Sequence, residues 1–322
     1  MTRVLVTGAA GQIGTELVPE LRRAYGDEAV LATDLKRLEG ELAEGGPWRT
    51  LDATDAAALA EAVASHRAGA VFHLAALLSA VAEREPLRAW RVNIESLLGV
   101  LEVAREVGCA LFVPSSIAAF GPATPADPTP QDTIQRPTSM YGVTKVAGEL
   151  LCDYYADRFG VDARGLRYPG LISHSAPPGG GTTDWAVEIF WSALRDGHYT
   201  CFLAAGTRLD MMFMPDAVRA AIELMEADAG RLAHRNAFNV TAMQVAPERM
   251  AAEIRRHLPG FTIDYEVDPV RQGIAESWPR RLDDSAARDE WGWAPRWDLA
   301  RTTAEMIEKV AEKVSARPLA AG

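Results

Sequence analysis

The chain has few of the residues that build disulfides or metal centres. Its three cysteines, Cys109, Cys152 and Cys201, are widely spaced without a CxxC pair, and its six histidines show neither HxH nor HExxH spacing. We therefore expect no disulfide framework, no zinc cluster and no other metal. Unpaired cysteines in this number indicate a reduced, cytoplasmic protein.

Basic runs and long apolar runs are missing as well. Acidic residues outnumber basic ones by 44 to 33, giving a formal net charge of -11, and no stripe of Lys or Arg could neutralise phosphates. The longest apolar run, near FHLAALLSAVA, is well short of the roughly 20 residues that span a bilayer. We expect no nucleic-acid partner, no membrane association and no export signal.

Alternating strand and helix patterns are what the sequence does contain. At 322 residues and 48% hydrophobic content, the chain can bury a full core. Helical patterns begin near Gln12 and extend over about 83–107 and 139–158, between short apolar runs that read RVLVTG, AVLATD, AVFHLAA, ALFVPSS and DARGLRYPG. This alternation predicts an α/β fold with a Rossmann-type, doubly wound parallel sheet.

Beyond residue 170 the regular alternation fades into mixed elements, which predicts a smaller, mixed α/β C-terminal lobe. We expect residues 1–170 to form the dinucleotide-binding domain, with segments near 205–240 returning to it. Residues 171–204 and 241–322 would then form the substrate-binding lobe.

A glycine-rich turn follows the first predicted strand and opens the first helix. Glycines at this position let the backbone approach a pyrophosphate at a helix N-terminus. The sequence therefore predicts a dinucleotide site whose first contacts are Gly8, Gly11, Gln12, Ile13 and Gly14.

Two acids follow the next strands. Asp34 ends the second strand, 20 residues after Gly14, where a carboxylate accepts hydrogen bonds from the adenosine ribose and repels a 2'-phosphate. This favours NAD over NADP. Asp52, in LDATD, could hydrogen-bond the adenine amino group or could equally cap the following helix.

A phenol and an ammonium share one helical face. Tyr141 and Lys145 are four residues apart, and Ser116 ends a strand 25 residues before Tyr141. A nearby cation favours the phenolate, which makes proton exchange with a substrate hydroxyl feasible. Ser116 could share the same substrate oxygen.

Together these motifs resemble the extended short-chain dehydrogenase/reductase superfamily over essentially the whole chain. The resemblance implies that Tyr141 is the acid/base, that Lys145 also holds the nicotinamide ribose and that Ser116, with Ser115 adjacent, orients the substrate oxygen. It further implies cofactor contacts from Leu74, Ala75, Ala76, Asn93 and Tyr168. For Asn93 the alternative is an exposed helix residue, and for His73 we expect a hydrogen-bonded core histidine.

Narrower features, LRYPGLIS, GGGTTDW, MMFMPDA and SWP, are similar to the zinc-free, short-chain family of L-threonine 3-dehydrogenases. This resemblance implies NAD-dependent oxidation of L-threonine to L-2-amino-3-oxobutanoate, in threonine catabolism toward glycine. One alternative is a nucleotide-sugar epimerase or dehydratase, against which the missing Asn motif after the sixth strand counts. Another is a non-catalytic NAD-sensing protein.

The same resemblance makes the loop SAPPGGGTTDW a cover over a small amino acid. Thr182 and Thr183 would offer hydroxyl and N–H groups to its carboxylate, and Gly179 to Gly181 would act as the hinge. A connector without ligand contact is the alternative. Ser79 and Trp278 would complete the pocket, although Trp278 could equally serve packing. A homodimer through the Tyr141 helix and the helix before it is implied too.

Overall fold

The computed structural model describes residues 3–175 and 181–316. Strands in these residues are β1 Val4–Thr7, β2 Val30–Asp34, β3 Trp48–Thr50, β4 Ala70–His73, β5 Ala110–Ser116, β6 Ala163–Tyr168, β7 Gly170–Ile172, β8 His198–Cys201, β9 Leu209–Phe213, β10 Phe238–Asn239, β11 Met243–Val245 and β12 Thr262–Tyr265.

The helices differ widely in length. They are α1 Gly14–Tyr25, α2 Glu41–Glu44, α3 Ala56–His66, α4 Ser79–Arg84, α5 Pro86–Trp90, α6 Ser96–Val107, α7 Met140–Phe159, α8 Trp185–Asp196, α9 Met214–Glu226, α10 Pro247–His257, α11 Pro269–Ser277, α12 Ser285–Trp291 and α13 Leu299–Ala316. Over the ranges that the structure describes, no helix combines the length and apolar character needed to cross a membrane.

Seven parallel strands form the central sheet in the order β10-β6-β5-β4-β1-β2-β3. Every residue of β1 and β4 is buried, as expected for parallel strands with helices on both faces. The predicted fold class is confirmed. The chain runs from β1 to one side of the sheet and later from β4 to the other, which leaves a crevice at the carboxyl ends of these strands.

Two smaller sheets lie outside the central one, in the orders β11-β9-β7 and β12-β8. β7 follows β6 after Pro169 alone and pairs with β9, so the chain leaves the central sheet at this point. Later, Phe238 pairs with Leu166 and Asn239 with Arg167, which returns the chain to β6. The assignment of the two lobes to cofactor and substrate stays a prediction.

The helix predicted over about 83–107 is largely confirmed, since the chain is helical from Pro86 to Val107, but it begins later than predicted. Helix α4 ends at Arg84, Glu85 has φ -130° and ψ 63°, and α5 begins at Pro86. Proline disfavours helical backbone in the residue before it, which explains the break. A π-helical turn, Arg91–Glu95, then connects α5 to α6 without a break in the helix. Such turns insert an extra residue and redirect a side chain, here that of Asn93.

Candidate active site

A cleft opens at the carboxyl edge of the central sheet, between β1, β4, β5 and the segments after β6. Its volume is about 1110 Å³ when the open mouth is included. Most of the residues predicted from the sequence line it: Gly8, Gly11, Gln12, Ile13, Gly14, Leu74, Ala76, Ser79, Ser116, Tyr141, Lys145, Tyr168, Gly181, Thr182, Thr183 and Trp278. The structure thus brings together residues more than 250 positions apart in the chain.

The turn between β1 and α1 has no room for a side chain at Gly8 or at Gly14. Gly8 has φ +70°, and a Cβ built on it would lie 2.8 Å from the amide nitrogen of Ala75. A Cβ on Gly14 would lie 2.5 Å from the carbonyl oxygen of Ala9. The glycines therefore bring the N-terminus of α1 close to β1, and the bare backbone there fits a dinucleotide pyrophosphate.

Asp34 stands beside this turn at the end of β2. One carboxylate oxygen accepts a 2.9 Å hydrogen bond from the amide of Ala10, and the other accepts a 2.9 Å bond from the amide of Lys36. These bonds hold the carboxylate against the glycine turn. An acid in this position fits the adenosine ribose of NAD.

Asp52 is exposed and accepts from the amide of Thr54 at 2.9 Å and from its hydroxyl at 2.8 Å. The cap of α3 is instead Asp55, which accepts from the amides of Ala57 and Ala58. The capping alternative for Asp52 is therefore wrong. Its contact with adenine stays a prediction.

Helix α7 positions the phenol and the ammonium. Ser139 caps the helix by accepting from the amide of Gly142 at 3.1 Å. Tyr141 is hydrogen-bonded to Ser116, and the Nζ of Lys145 lies 5.4 Å from the centroid of the Tyr141 ring. The same Nζ donates a 2.8 Å bond to the carbonyl of Pro114. Phenol, serine and ammonium thus meet on one wall of the cleft.

Burial controls the protonation of both groups. It raises the pKa of Tyr141 to about 12, against the lowering effect of the bond with Ser116. It also lowers the pKa of Lys145 to about 8. Desolvation of the phenolate has the largest effect on the pKa of Tyr141. The expectation that the neighbouring cation favours the phenolate stays a prediction.

Two further predicted positions lie behind the cleft. Ala75 and Asn93 line a small cavity on the inner side of Lys145. Asn93 is buried, accepts from the amide of Leu77 at 2.7 Å and donates to the hydroxyl of Thr144 at 3.0 Å. The exposed alternative for Asn93 is wrong. The residue fixes the segment after β4 against α7.

His73 is a core residue, as predicted. Its Nδ1 lies 2.9 Å from the hydroxyl of Thr7, and its Nε2 lies 3.1 Å from the hydroxyl of Ser96. Burial lowers the pKa of His73 to about 3, so the ring is neutral. Tyr168 is likewise engaged, since its buried hydroxyl donates a 2.7 Å bond to the carbonyl of Ala217. A cofactor contact of Tyr168 would therefore have to come from its ring or backbone and not from its hydroxyl.

Other parts of the cleft lining come from Gly181 to Thr183 and from Trp278. Thr182 is buried, and the hinge residues Gly179 and Gly180 lie outside the described residues. Trp278 lines the cleft and also belongs to the hydrophobic core, which confirms its packing role. Its contact with the amino acid stays a prediction. Sequence reasoning missed Asp184, whose carboxylate lines the cleft and accepts from the amide of Gly181 at 2.7 Å.

Gly170 was also missed. A Cβ on Gly170 would lie 2.8 Å from the Cγ2 atom of Thr183, so the glycine permits the close approach of this threonine. The glycine after the proline in LRYPG was the available signal. In the described ranges no group of three or more His, Cys, Asp or Glu could hold a metal ion.

Residues 4–241 match the NAD dependent epimerase/dehydratase family. An uncharacterized epimerase/dehydratase from Staphylococcus saprophyticus is 54% identical over 317 residues, covering 98% of this chain and 99% of that protein.

Solved structures similar to this one carry a more specific name. The L-threonine dehydrogenase from Clostridium difficile has a TM-score of 0.95 and 52% identity, and the match covers 97% of this chain and 98% of that chain. The holo form of a GalE-like L-threonine dehydrogenase from Cupriavidus necator has a TM-score of 0.93 and 48% identity, covering 96% and 99%.

Proposed function

The chain belongs to the NAD dependent epimerase/dehydratase family and is an NAD-dependent oxidoreductase; on that premise we propose that it oxidises L-threonine to L-2-amino-3-oxobutanoate. The observation that carries the proposal is the grouping of Tyr141, Ser116 and Lys145 in one cleft with Thr182 and Thr183. The similarity of nearly the whole chain to L-threonine dehydrogenases supports this substrate. The reaction would direct threonine toward glycine.

The cofactor contacts are part of the proposal. Residues 1–170 would bind NAD, mainly through the backbone of the glycine turn and the carboxylate of Asp34. NAD supplies the hydride acceptor when it is bound. Residues 171–204 and 241–322 would hold the amino acid.

Tyr141 is the proposed acid/base. It would take the proton of the substrate hydroxyl while Ser116 holds the same oxygen. Because the pKa of Tyr141 is about 12, the phenolate must be stabilised at the moment of transfer. The hydroxyl of Ser116 and the ammonium of Lys145 are the nearest groups that can do this.

Absorbance at 340 nm tests the reaction directly. With NAD and L-threonine, the proposed enzyme forms NADH continuously. A nucleotide-sugar epimerase or dehydratase, or a protein that only senses NAD, produces no net NADH from threonine. Absence of NADH in protein that still binds NAD would therefore reject the proposed substrate.

Replacing Thr183 with Ala is expected to raise the KM for L-threonine roughly tenfold or more. A hydrogen bond to a charged carboxylate is worth about 1.5 to 3 kcal/mol, and about 1.4 kcal/mol corresponds to a factor of ten. Initial rates over a range of threonine concentrations measure the effect. Thr183→Ser keeps the hydroxyl and should stay near the wild-type KM. An unchanged KM in Thr183→Ala would remove this residue from the pocket.

We also propose a cytoplasmic homodimer. The three cysteines are all unpaired and buried. Large apolar side chains are exposed on α5 and α7, namely Leu87 at 86%, Trp90 at 39%, Val143 at 41%, Leu150 at 61% and Tyr154 at 55%. Exposed apolar groups on adjoining helices favour burial against a second copy. Sedimentation equilibrium distinguishes this dimer from a monomer.

A further inference from the structure

A buried glutamate lies one helical turn beyond Lys145. Glu149 is 4% exposed, although it carries a carboxylate and contacts no substrate in the proposed mechanism. One of its oxygens accepts a hydrogen bond from the hydroxyl of Ser115. The other accepts from the side-chain amide of Gln135 at 2.6 Å and from Nη2 of Arg167 at 2.8 Å. A buried carboxylate costs free energy unless it is paired and hydrogen-bonded, and these partners offset that cost.

The position continues a pattern. Tyr141, Lys145 and Glu149 are spaced four residues apart and therefore lie on one face of α7. Each of them contacts a different one of the last three residues of β5. Tyr141 bonds Ser116, Lys145 donates to the carbonyl of Pro114, and Glu149 accepts from Ser115.

The two serines serve opposite faces of the strand. Successive side chains of a strand point in opposite directions. Both serines border the cleft, but Ser115 is buried and its hydroxyl is bonded to Glu149. The contact between Ser115 and Glu149 therefore fixes the strand end that presents Ser116.

Arg167 neutralises part of the charge of Glu149 from β6. Its guanidinium also donates to the carbonyl of Gln131 at 2.7 Å and to the side-chain oxygen of Asn239 at 3.2 Å. Asp153, one turn further along α7, faces Glu149 as well, and burial raises the pKa of this acid.

Few charges act on Lys145. Glu149 has the largest effect among them and raises the pKa of Lys145, against the stronger lowering effect of burial. Cys152 and Tyr141 also face it from α7, but burial raises the pKa of both groups, so they stay neutral near pH 7. His73 on β4 is neutral too, with a pKa of about 3.

We propose that Glu149 is a positioning residue of the candidate active site: it keeps the amino group of Lys145 in the charged form and holds, through Ser115, the strand end that carries Ser116. This inference rests on the proposed roles of Lys145 and Ser116, and it is independent of which alcohol is the substrate.

Titration of Lys145 tests the charge effect. The chain has only four lysines, Lys36, Lys145, Lys309 and Lys313, so NMR of protein labelled at the lysine side chains resolves Lys145, assigned through its loss in Lys145→Met. Burial lowers the pKa of Lys145 to about 8 in the native fold. In Glu149→Gln the midpoint is expected to fall by about one pH unit or more, because an adjacent opposite charge typically shifts a pKa by this amount.

The pH dependence of activity should shift in the same direction as the pKa of Lys145. Because Lys145 acts as an ammonium, kcat/KM falls as pH rises through its pKa. The alkaline limb of kcat/KM in Glu149→Gln should therefore move to lower pH by the same amount as the NMR midpoint. A merely structural role would lower the rate at every pH and leave the limb in place.

Two variants separate the two parts of the proposal. Asp153→Asn removes a carboxylate from the same helix one turn further from Lys145, and its Lys145 midpoint should stay at the native value. Ser115→Ala removes the bond to the strand but keeps the charge of Glu149. It should lower kcat several-fold with an unmoved midpoint, and an unchanged kcat would overturn the strand-holding part.

Unfolding of Glu149→Gln is a foreseeable outcome, since it leaves Arg167 buried without its partner. Glu149→Gln/Arg167→Gln removes both charges, and circular dichroism checks its fold. Its Lys145 midpoint should still lie below the native value. A native midpoint in whichever of these variants folds would overturn the charge effect. Failure of the threonine assay with a shifted midpoint would reject the substrate and leave this inference standing.

Discussion

Turnover of L-threonine is expected to fall by roughly 10² to 10⁴ in Tyr141→Phe, the usual loss when a positioned acid/base is removed. The phenol oxygen is the group that meets Ser116 in the cleft, and phenylalanine keeps the ring beside Lys145 while deleting that oxygen. Steady-state rates at saturating NAD measure the loss. NAD affinity, followed by quenching of intrinsic fluorescence, should change little.

A matched control is Tyr25→Phe. The hydroxyl of Tyr25 donates a 2.9 Å bond to Glu226 outside the cleft, so turnover in this variant should stay near the native value. If Tyr141→Phe turned over threonine at a nearly native rate, the acid/base would have to be a different group.

A second large effect is expected at the glycine turn. In Gly14→Ala the new Cβ would lie 2.5 Å from the carbonyl oxygen of Ala9 and 2.6 Å from that of Gly8. Both contacts are with backbone, so the start of α1 must move away from β1. We expect NAD to bind roughly 100-fold more weakly, equivalent to about 2.7 kcal/mol. Titration calorimetry with NAD measures the change, and thermal unfolding should show a lower Tm.

Gly99→Ala is the control for this substitution. It lies inside α6, where the nearest atom to a new Cβ is the Cβ of Ala56 at 3.4 Å. There alanine should stabilise the helix by up to about 1 kcal/mol and leave NAD binding unchanged. Native NAD affinity in Gly14→Ala would show that the turn does not contact the dinucleotide.

Much of the cofactor wall follows from short-range patterns. The apolar runs that became β1, β2, β4 and β5 needed no long-range information, because strands buried on both faces are mainly apolar. The glycine turn and the spacing of Tyr141 and Lys145 are equally local. Helix α7 begins where Ser139 can cap it, one residue from the predicted start.

Other local features were not predicted, because they depend on the three-dimensional environment of a residue. The break at Glu85 required weighing Pro86 against a strong helical pattern, and the π-helical turn at Asn93 matches a side chain that bonds the distant Leu77 and Thr144. Asp52 and Asp55 are both plausible caps by composition. Only the geometry of the turn selected Asp55.

The sequence by itself determined the order of strands and helices, the glycine turn after β1 and the helical face shared by Tyr141 and Lys145. These depend on hydrogen bonds and spacings within a few residues of one another. The tertiary structure alone decided that Glu149 meets Ser115 and Arg167 and that the pKa of Tyr141 rises to about 12. Each of these depends on the burial of side chains by chain segments that are distant in sequence. Such desolvation cannot be predicted from a local sequence pattern.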